Sequence, residues 1–242
     1  MKKILIAIIS IFIIQFSTVF ADFNGGIGIY IPLGASISQS YQDHKLGVNT
    51  SDGKLTTDAG FEWGIGITPG IYNGFDNYMG FSIALDLAYH RDVYAFNESK
   101  QAGAAGQYQN VKTTYYFDTL SIGILPKFNI YNFFIGLGGG VKIPLAGGET
   151  TQNYNTTYGQ FENVNNYYTL NDIKNKYQMS VIPYLKFTLD YLFFFSDETA
   201  LGLGLYVGYD FGPGRVNDTR FNKNDYGAVD IGGQFSFYFV DN

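Results

Sequence analysis

The chain has 242 residues, 15% of them charged and 18% aromatic, with no cysteine and a formal net charge of −6. The missing cysteines exclude a disulfide framework, a thiolate metal site, a cysteine nucleophile and an N-terminal lipid-bearing cysteine. The acidic balance speaks against nucleic acid, which calls for a basic surface, and charge this sparse, against roughly 25% in ordinary globular chains, is foreign to a soluble domain. In chain order, Lys2 and Lys3 precede an apolar run from Ile4 to Ile14 broken only by Ser10, and Val19-Phe20-Ala21 ends it on a small residue. That layout is a cleaved secretory signal, residues 1–21, since the run falls short of the roughly 20 residues of a spanning helix. Losing two lysines leaves 15 − 2 = 13 basic and 21 acidic residues, a net charge of −8 on residues 22–242.

Eight segments then alternate strictly between apolar and small or polar side chains. The first carries Phe23, Ile27, Ile29, Ile31, Leu33 and Ile37 on one face, with Gly26, Gly28, Tyr30, Gly34 and Ser36 on the other. The second sets Phe61, Trp63, Ile65, Ile67 and Ile71 against Glu62, Gly64, Gly66 and Thr68; the third sets Phe81, Ile83, Leu85, Leu87 and Tyr89 against Ser82, Ala84, Asp86, Ala88 and His90. In the fourth, Leu120, Ile122 and Ile124 alternate with Thr119, Ser121, Gly123 and Lys127, and Leu125 interrupts the pattern. The fifth opposes Phe133, Ile135, Leu137, Val141 and Ile143 to Gly136, Gly138, Gly140 and Lys142; the sixth opposes Val181, Leu185, Phe187, Leu189 and Tyr191 to Tyr184, Lys186, Thr188 and Asp190. The seventh sets Leu201, Leu203, Leu205, Val207 and Tyr209 against Gly202, Gly204, Tyr206, Gly208 and Asp210. The eighth sets Val229, Ile231, Phe235, Phe237 and Phe239 against Asp230, Gly232, Gln234, Ser236 and Tyr238.

Every charge within these spans falls on the face opposite the apolar one. A soluble antiparallel sheet alternates too, but its polar face carries long charged side chains. Here that face is mostly glycine and small residues, which suits a narrow barrel whose interior side chains just fill. The expected fold is an all-β, eight-stranded antiparallel up-and-down transmembrane β-barrel, with lipid on the apolar faces. The connections at Gln39–Asp58, Arg91–Lys112, Ala146–Gln178 and Gly212–Gly227 are long and polar, and those at Tyr72–Tyr78, Asn129–Asn132 and Leu192–Thr199 are short. Short turns inside and long loops outside place both termini in the periplasm.

On these residues the chain resembles the small eight-stranded outer-membrane β-barrel proteins, the outer-membrane protein β-barrel domain family, over residues 22–242. The most specific local match is Asp230-Ile231-Gly232-Gly233-Gln234-Phe235-Ser236-Phe237, similar to the C-terminal insertion signal of that group. The resemblance implies a bacterial outer-membrane location and makes Gly232, Phe235 and Phe237 contacts for the assembly machinery; the plain alternative is an ordinary lipid-facing strand. Val240-Asp241-Asn242 after Phe239 depart from members that end on the aromatic. Members serve as structural proteins, adhesins, immune-evasion surfaces, lipid-modifying enzymes or conduits for small hydrophobic molecules, and fold alone does not choose.

The inward charges form a candidate lumenal network: acids Glu62, Asp86, Asp190, Asp210 and Asp230, bases Lys127, Lys142 and Lys186, and His90. Buried charges must pair, so a polar plug linking lysines to aspartates is expected, and eight strands are too narrow for a solvent-filled pore. Catalysis on lipid would need a histidine near the outer surface with a nucleophile. Only His44 and His90 exist, and His90 is followed by Arg91 and Asp92 rather than by a nearby serine on its face, so no catalytic residue, cofactor or metal is assigned. Gly136–Gly140 resembles a phosphate loop only in form, since the following lysine and helix are missing. Recognition, if any, belongs to the outer loops, where Tyr41, Tyr94, Tyr108, Tyr154, Tyr158, Tyr167 and Tyr168 sit among Asn, Gln, Thr and Gly. The reading is a structural or surface-interaction barrel (adhesion or evasion), with membrane lipids, the assembly machinery and host surface molecules as partners. Passive transport of small hydrophobic molecules is the alternative, with lipid modification through His90 behind it.

Overall fold

The computed structural model describes residues 24–45, 54–75, 79–102, 107–155, 160–177, 181–214 and 221–241. The expected signal, residues 1–21, lies outside the described residues. Within them run β1 (Asn24–His44), β2 (Leu55–Thr57), β3 (Ala59–Asn73), β4 (Met79–Ala102), β5 (Gln107–Ile130), β6 (Phe133–Asn155), β7 (Gln160–Tyr168), α1 (Leu170–Lys176), β8 (Ile182–Ser196), β9 (Thr199–Asp210) and β10 (Phe221–Val240). Eight strands close into one antiparallel ring in the order β1-β3-β4-β5-β6-β8-β9-β10, and β10 returns to pair with β1. The chain is therefore an eight-stranded up-and-down barrel, and the eight expected segments are its eight staves.

Register explains why alternation sufficed. Ile29 stands beside Ile67 on β3 and Phe237 on β10, while Tyr30 stands beside Gly66 and Ser236. Like faces meet like faces right around the ring, so a one-residue slip anywhere would turn a greasy face inward. The outer wall is apolar throughout: Ile65, Leu120, Leu137, Leu185, Leu205 and Phe235 are all exposed. In water, a belt this continuous would far exceed the patch a soluble monomer tolerates. Hydrocarbon covers it at no such cost, and no helix among the described residues is long and apolar enough to cross a membrane in its place.

Aromatic rings border the belt at both ends, as headgroup-level girdles do. Towards the turns, Phe133 meets Tyr191 edge-on at 5.1 Å and Phe195 stacks on Phe237 at 6.3 Å. Towards the loops, Trp63 packs on Tyr89 at 5.7 Å and Tyr209 on Phe211 at 4.8 Å. Beside the upper girdle Arg91 makes a two-pronged bond to Asp118, at 2.8 and 2.9 Å, and lies over the Tyr116 ring.

The inward glycines make room for lumenal tyrosines. Gly34 and Gly232 face one another across the β1–β10 pair, and Tyr206 lies over both. A Cβ on Gly34 would meet the Tyr206 hydroxyl and stand 2.6 Å from the Ile231 carbonyl oxygen; one on Gly232 would stand 2.8 Å from the Tyr206 ring. Because backbone is one of the clashing partners, repacking side chains cannot relieve the strain. We expect Gly34→Val to cost about 1–3 kcal/mol, the usual penalty of overpacking, measured by urea unfolding of protein folded into lipid vesicles. Gly25→Val, where nothing stands within 4 Å of the new carbon, should be near neutral.

Several sequence expectations need correction. The connection read at Arg91–Lys112 is mostly strand, since β4 and β5 form one hairpin whose pairing runs from Met79↔Ile130 to Ala102↔Gln107. The one at Ala146–Gln178 extends β6 to Asn155, returns as β7 and then makes α1; Gln39–Asp58 and Gly212–Gly227 likewise lose their ends to β1, β2 and β10. Above the belt the apolar bulk moves to the inner face, and on β4 the outward Val93 and Ala95 are small and covered by the start of β3. On β4 the apolar positions shift from Leu85, Leu87 and Tyr89, which face lipid, to Tyr94 and Phe96, which are fully buried inside. Leu125 does not break the alternation: it points inward, 2% exposed, as an apolar member of the lumenal face. Tyr94, expected among the loop tyrosines, is fully buried, whereas Tyr167 is 79% exposed and Tyr41 is also at the surface. The side chains of Tyr108, Tyr154, Tyr158 and His44 lie outside the description.

Candidate functional site

The lumen is built in three layers. Towards the turns, Tyr72, Phe75, Phe134, Leu192 and Val240 form an apolar floor, with Phe75 edge-on to Phe134 at 5.7 Å. Towards the loops, Tyr94, Phe96, Tyr115, Phe117 and Tyr226 form an aromatic ceiling in which Tyr115 stacks on Tyr226 at 5.3 Å. Ile173 and Tyr177, from α1 and its C-terminal cap, complete that ceiling, and Tyr177 meets Phe117 edge-on at 5.2 Å. Between floor and ceiling lie the charges.

The charged layer brings together all nine residues singled out in the sequence, and most of its bonds cross the lumen. Lys127 on β5 donates to Asp190 on β8 at 2.9 Å and to the Tyr238 hydroxyl on β10 at 2.7 Å. Gln234 donates to the other Asp190 oxygen at 2.5 Å. Lys142 on β6 reaches Asp92 on β4 and Asp210 on β9, both at 2.6 Å, with Asp230 at 4.0 Å. Asp86 accepts from Tyr30 on β1 and, at 3.0 Å, from Tyr184 on β8; Lys186 lies 3.5 Å away and over the Tyr30 ring. Glu62 on β3 accepts from Tyr206 on β9 at 2.8 Å. Most of these charges thus have a close partner on another stave, the condition on which a buried charge is tolerable; Asp230 is the exception, with Lys142 at 4.0 Å and its Oδ1 without a hydrogen bond.

His90 faces the lumen over Gly64 and lines the same small cavity as Glu62, Asp86 and Lys142. It sits inside the wall, shielded from lipid, and Asp86 is already taken by two tyrosines and a lysine. Water centres have about 30 Å³ to occupy there, space for about two waters.

Asp92 is the residue that sequence reading missed. It accepts from Lys142 and, at 2.6 Å, from Thr119, and it is 2% exposed. The signal was present, since Asp92 continues the even-numbered inward series Ser82 to His90 by one step. In the sequence the outward apolar partners stop at Tyr89, so the pattern alone reads Asp92 as loop. Gly232 faces inward under Tyr206, and Phe235 faces lipid. Phe235 pairs with Ile31 and Leu203, and Phe237 pairs with Ile29 and Leu201.

Helix α1 is fastened over the ceiling by local chemistry. Thr169 caps it: the Thr169 N–H and hydroxyl donate to the Asp172 carboxylate at 2.8 and 2.6 Å, and the Asp172 N–H donates to the Thr169 oxygen. Those bonds, the Thr169 hydroxyl first, hold the Asp172 carboxyl below its ordinary 3.8. A lowered carboxyl pKa stabilises the capped form above the unfolded value, and the benefit disappears as pH falls through the folded one. Amide exchange at Ile173 and Tyr177, whose N–H groups bond to Thr169 and Ile173 along this helix, should therefore stay protected at neutral pH. After correction for intrinsic rates, protection should fall below about pH 4, and Asp172→Asn should remove that pH step.

No family model matches the chain, and no curated protein matches it. Among solved structures, Neisserial surface protein A is 12% identical, with TM-score 0.39, covering 88% of this chain and 97% of its own. The outer membrane protease OmpT from Escherichia coli is 10% identical, with TM-score 0.42, covering 91% and 97%. The attachment invasion locus protein Ail of Yersinia pestis is 14% identical, with TM-score 0.31, covering 88% and 98%. Likenesses this distant say nothing of role. The chain's own closed ring and lipid-facing belt make it a β-barrel of the outer-membrane kind.

Proposed function

We propose that this protein is an integral outer-membrane barrel that carries its loops at the cell surface as a structural or surface-interaction element, with both termini in the periplasm. The observation that carries the reading is the filled lumen. Among the described residues an apolar floor, a cross-lumen charge layer and an aromatic ceiling fill the lumen, which supports neither a pore nor a conduit for small hydrophobic molecules. His90 inside the wall, with its neighbouring acid occupied, supports a protein without enzyme activity. On the outside, the β4–β5 hairpin and the β6–β7 hairpin extend beyond the belt as paired strands. The closing strand β10 supports a role for Gly232, Phe235 and Phe237 in insertion, because it is the strand that must meet β1.

Planar-bilayer recording tests the closed lumen: the purified protein should give no steady conductance, and a stable conductance blocked by a small hydrophobic solute would replace this reading with transport. Expression in a non-adherent bacterium tests the surface role. Attachment to host cells should appear, and should weaken when residues 156–168 are replaced by a short turn.

A further inference from the structure

We propose that the free edge of β7 pairs antiparallel with β7 of a second copy of this chain on a facing cell, an inference that rests on the surface-interaction reading above. β7 has nine residues, and along all of them its one strand partner among the described residues is β6. Its other edge therefore keeps a row of main-chain donors and acceptors outside that ladder. None of the usual guards stands on this edge. Gln160–Tyr168 holds no proline, lysine or arginine, and its register with β6 runs without a bulge. Residues 162–167 are exposed on both faces of the strand. The base of the strand is held: Tyr168 donates to Glu149 at 2.6 Å, and Lys176 of α1 donates to the same carboxylate at 2.9 Å. The edge is thus presented ready-formed, with little chain left to order on pairing.

The composition of the edge names the occupant. Asn163, Asn165 and Asn166 carry side-chain amides, which both donate and accept, so each is complementary to its own kind. Asparagine ladders between identical strands use that property. Glu162 is the one charged residue of the strand. A two-fold axis at Val164 sets Glu162 opposite Asn166, and Asn163 opposite Asn165, of the second copy. The carboxylates then never face each other, and no charge calls for a foreign partner. Faces agree as well: Asn165, which accepts from Thr150, shares its face with Asn163 two residues away. Copies in one membrane stand upright together, and an axis along the membrane normal leaves their strands parallel. The antiparallel pair needs two membranes face to face, with β6 and β7 extending beyond each belt. A foreign extended peptide is the competing occupant. Strand addition of that kind reads main-chain groups, however, and leaves the self-matching amides without a part.

The test uses the full-length protein displayed on a bacterium that does not clump by itself. Wild-type cells should settle together. Asn163→Lys with Asn165→Lys, and Asn163→Glu with Asn165→Glu, each set like charges opposite one another. Each double variant alone should lose about tenfold in pairing, enough to disperse cells held by many weak contacts. The two populations mixed should clump again, and that rescue should fall as salt is raised from about 0.1 to about 1 M. The chain has no cysteine, so Val164→Cys adds the only thiol. Oxidised mixtures of two differently tagged populations should then yield a disulfide dimer carrying both tags, since directly opposed Cβ atoms lie within about 5.5 Å. Heat-modifiable migration on gels should show every variant folded, because residues 163–165 are exposed. Wild-type cells that stay dispersed would overturn the proposal. So would a double variant that clumps alone as wild type does, a mixture that stays dispersed, or capture of foreign extended peptides without cell–cell pairing. Host-cell attachment that needs residues 156–168 while the bacteria never pair with one another would sink this inference and leave the surface role standing; loss of both would remove the two together.

Discussion

Lys142→Met should destabilise the folded barrel by about 3–5 kcal/mol, the range for removing one partner of a buried ion pair. Its ammonium is the shared partner of Asp92 and Asp210 at 2.6 Å and the nearest cation to Asp230, and all four side chains are almost wholly buried. Methionine fills a similar volume, so the loss is electrostatic rather than a cavity. The measurement is urea unfolding in lipid vesicles, followed by tryptophan emission from Trp63. Adding Asp210→Asn removes one stranded carboxylate, and the double variant should recover part of the loss as a positive coupling. Lys223→Met is the contrast: its pair with Asp225 at 3.0 Å has the lysine 62% exposed, and such pairs contribute less than about 1 kcal/mol. Equal effects at Lys142 and Lys223 would show that the lumen is wet and the charge layer screened.

The second large effect belongs to the outer wall. Leu205 is 64% exposed and lies between Leu189 on β8 and Gly233 on β10, well within the belt. Leu205→Arg should cost about 2–4 kcal/mol when the protein is folded in a bilayer, as charges near the midplane of such barrels do. Leu205→Gln should cost less, and Asn166→Arg, beyond the membrane, almost nothing. In water an exposed Leu→Arg exchange would be harmless or helpful, so the sign of this one number separates lipid from solvent at that face.

Both effects trace to alternation, and alternation is where the sequence was legible. In β1, Ile27 to Ile37 against Gly26 to Ser36 leaves one arrangement in which the faces agree with their neighbours, and the same holds for the other staves. The charges fall on the inward face for the same reason, and the nine candidate lumenal residues share it. The pattern failed at the top of the belt. Beyond His90 the large apolar residues, Tyr94 and Phe96, lie inward while the outward Val93 and Ala95 are small and covered, and a reader looking for large apolar residues outside sees a loop. Asp92 was lost at that boundary. Leu125 is apolar and yet faces the lumen, so a rule that lumenal positions are polar does not find it. Helix α1 is short, seven residues, and its Thr169–Asp172 box is visible only once a helix is sought within a polar stretch. Which lysine meets which aspartate follows from the stagger of the ring, and no single strand carries that.

The bond between β1 and β10 joins the earliest stave made to the latest, Gly26 to Val240. Every other neighbouring pair in the ring is a local hairpin, and only this seam spans the whole sequence. Until the final ribbon is exported, the first keeps an unsatisfied row of amides and carbonyls, which is a template for aggregation. A nascent or truncated product therefore has no stable halfway state. It must be held unfolded in transit and sealed in one late act, and a chain cut short before Phe221 should be degraded rather than inserted.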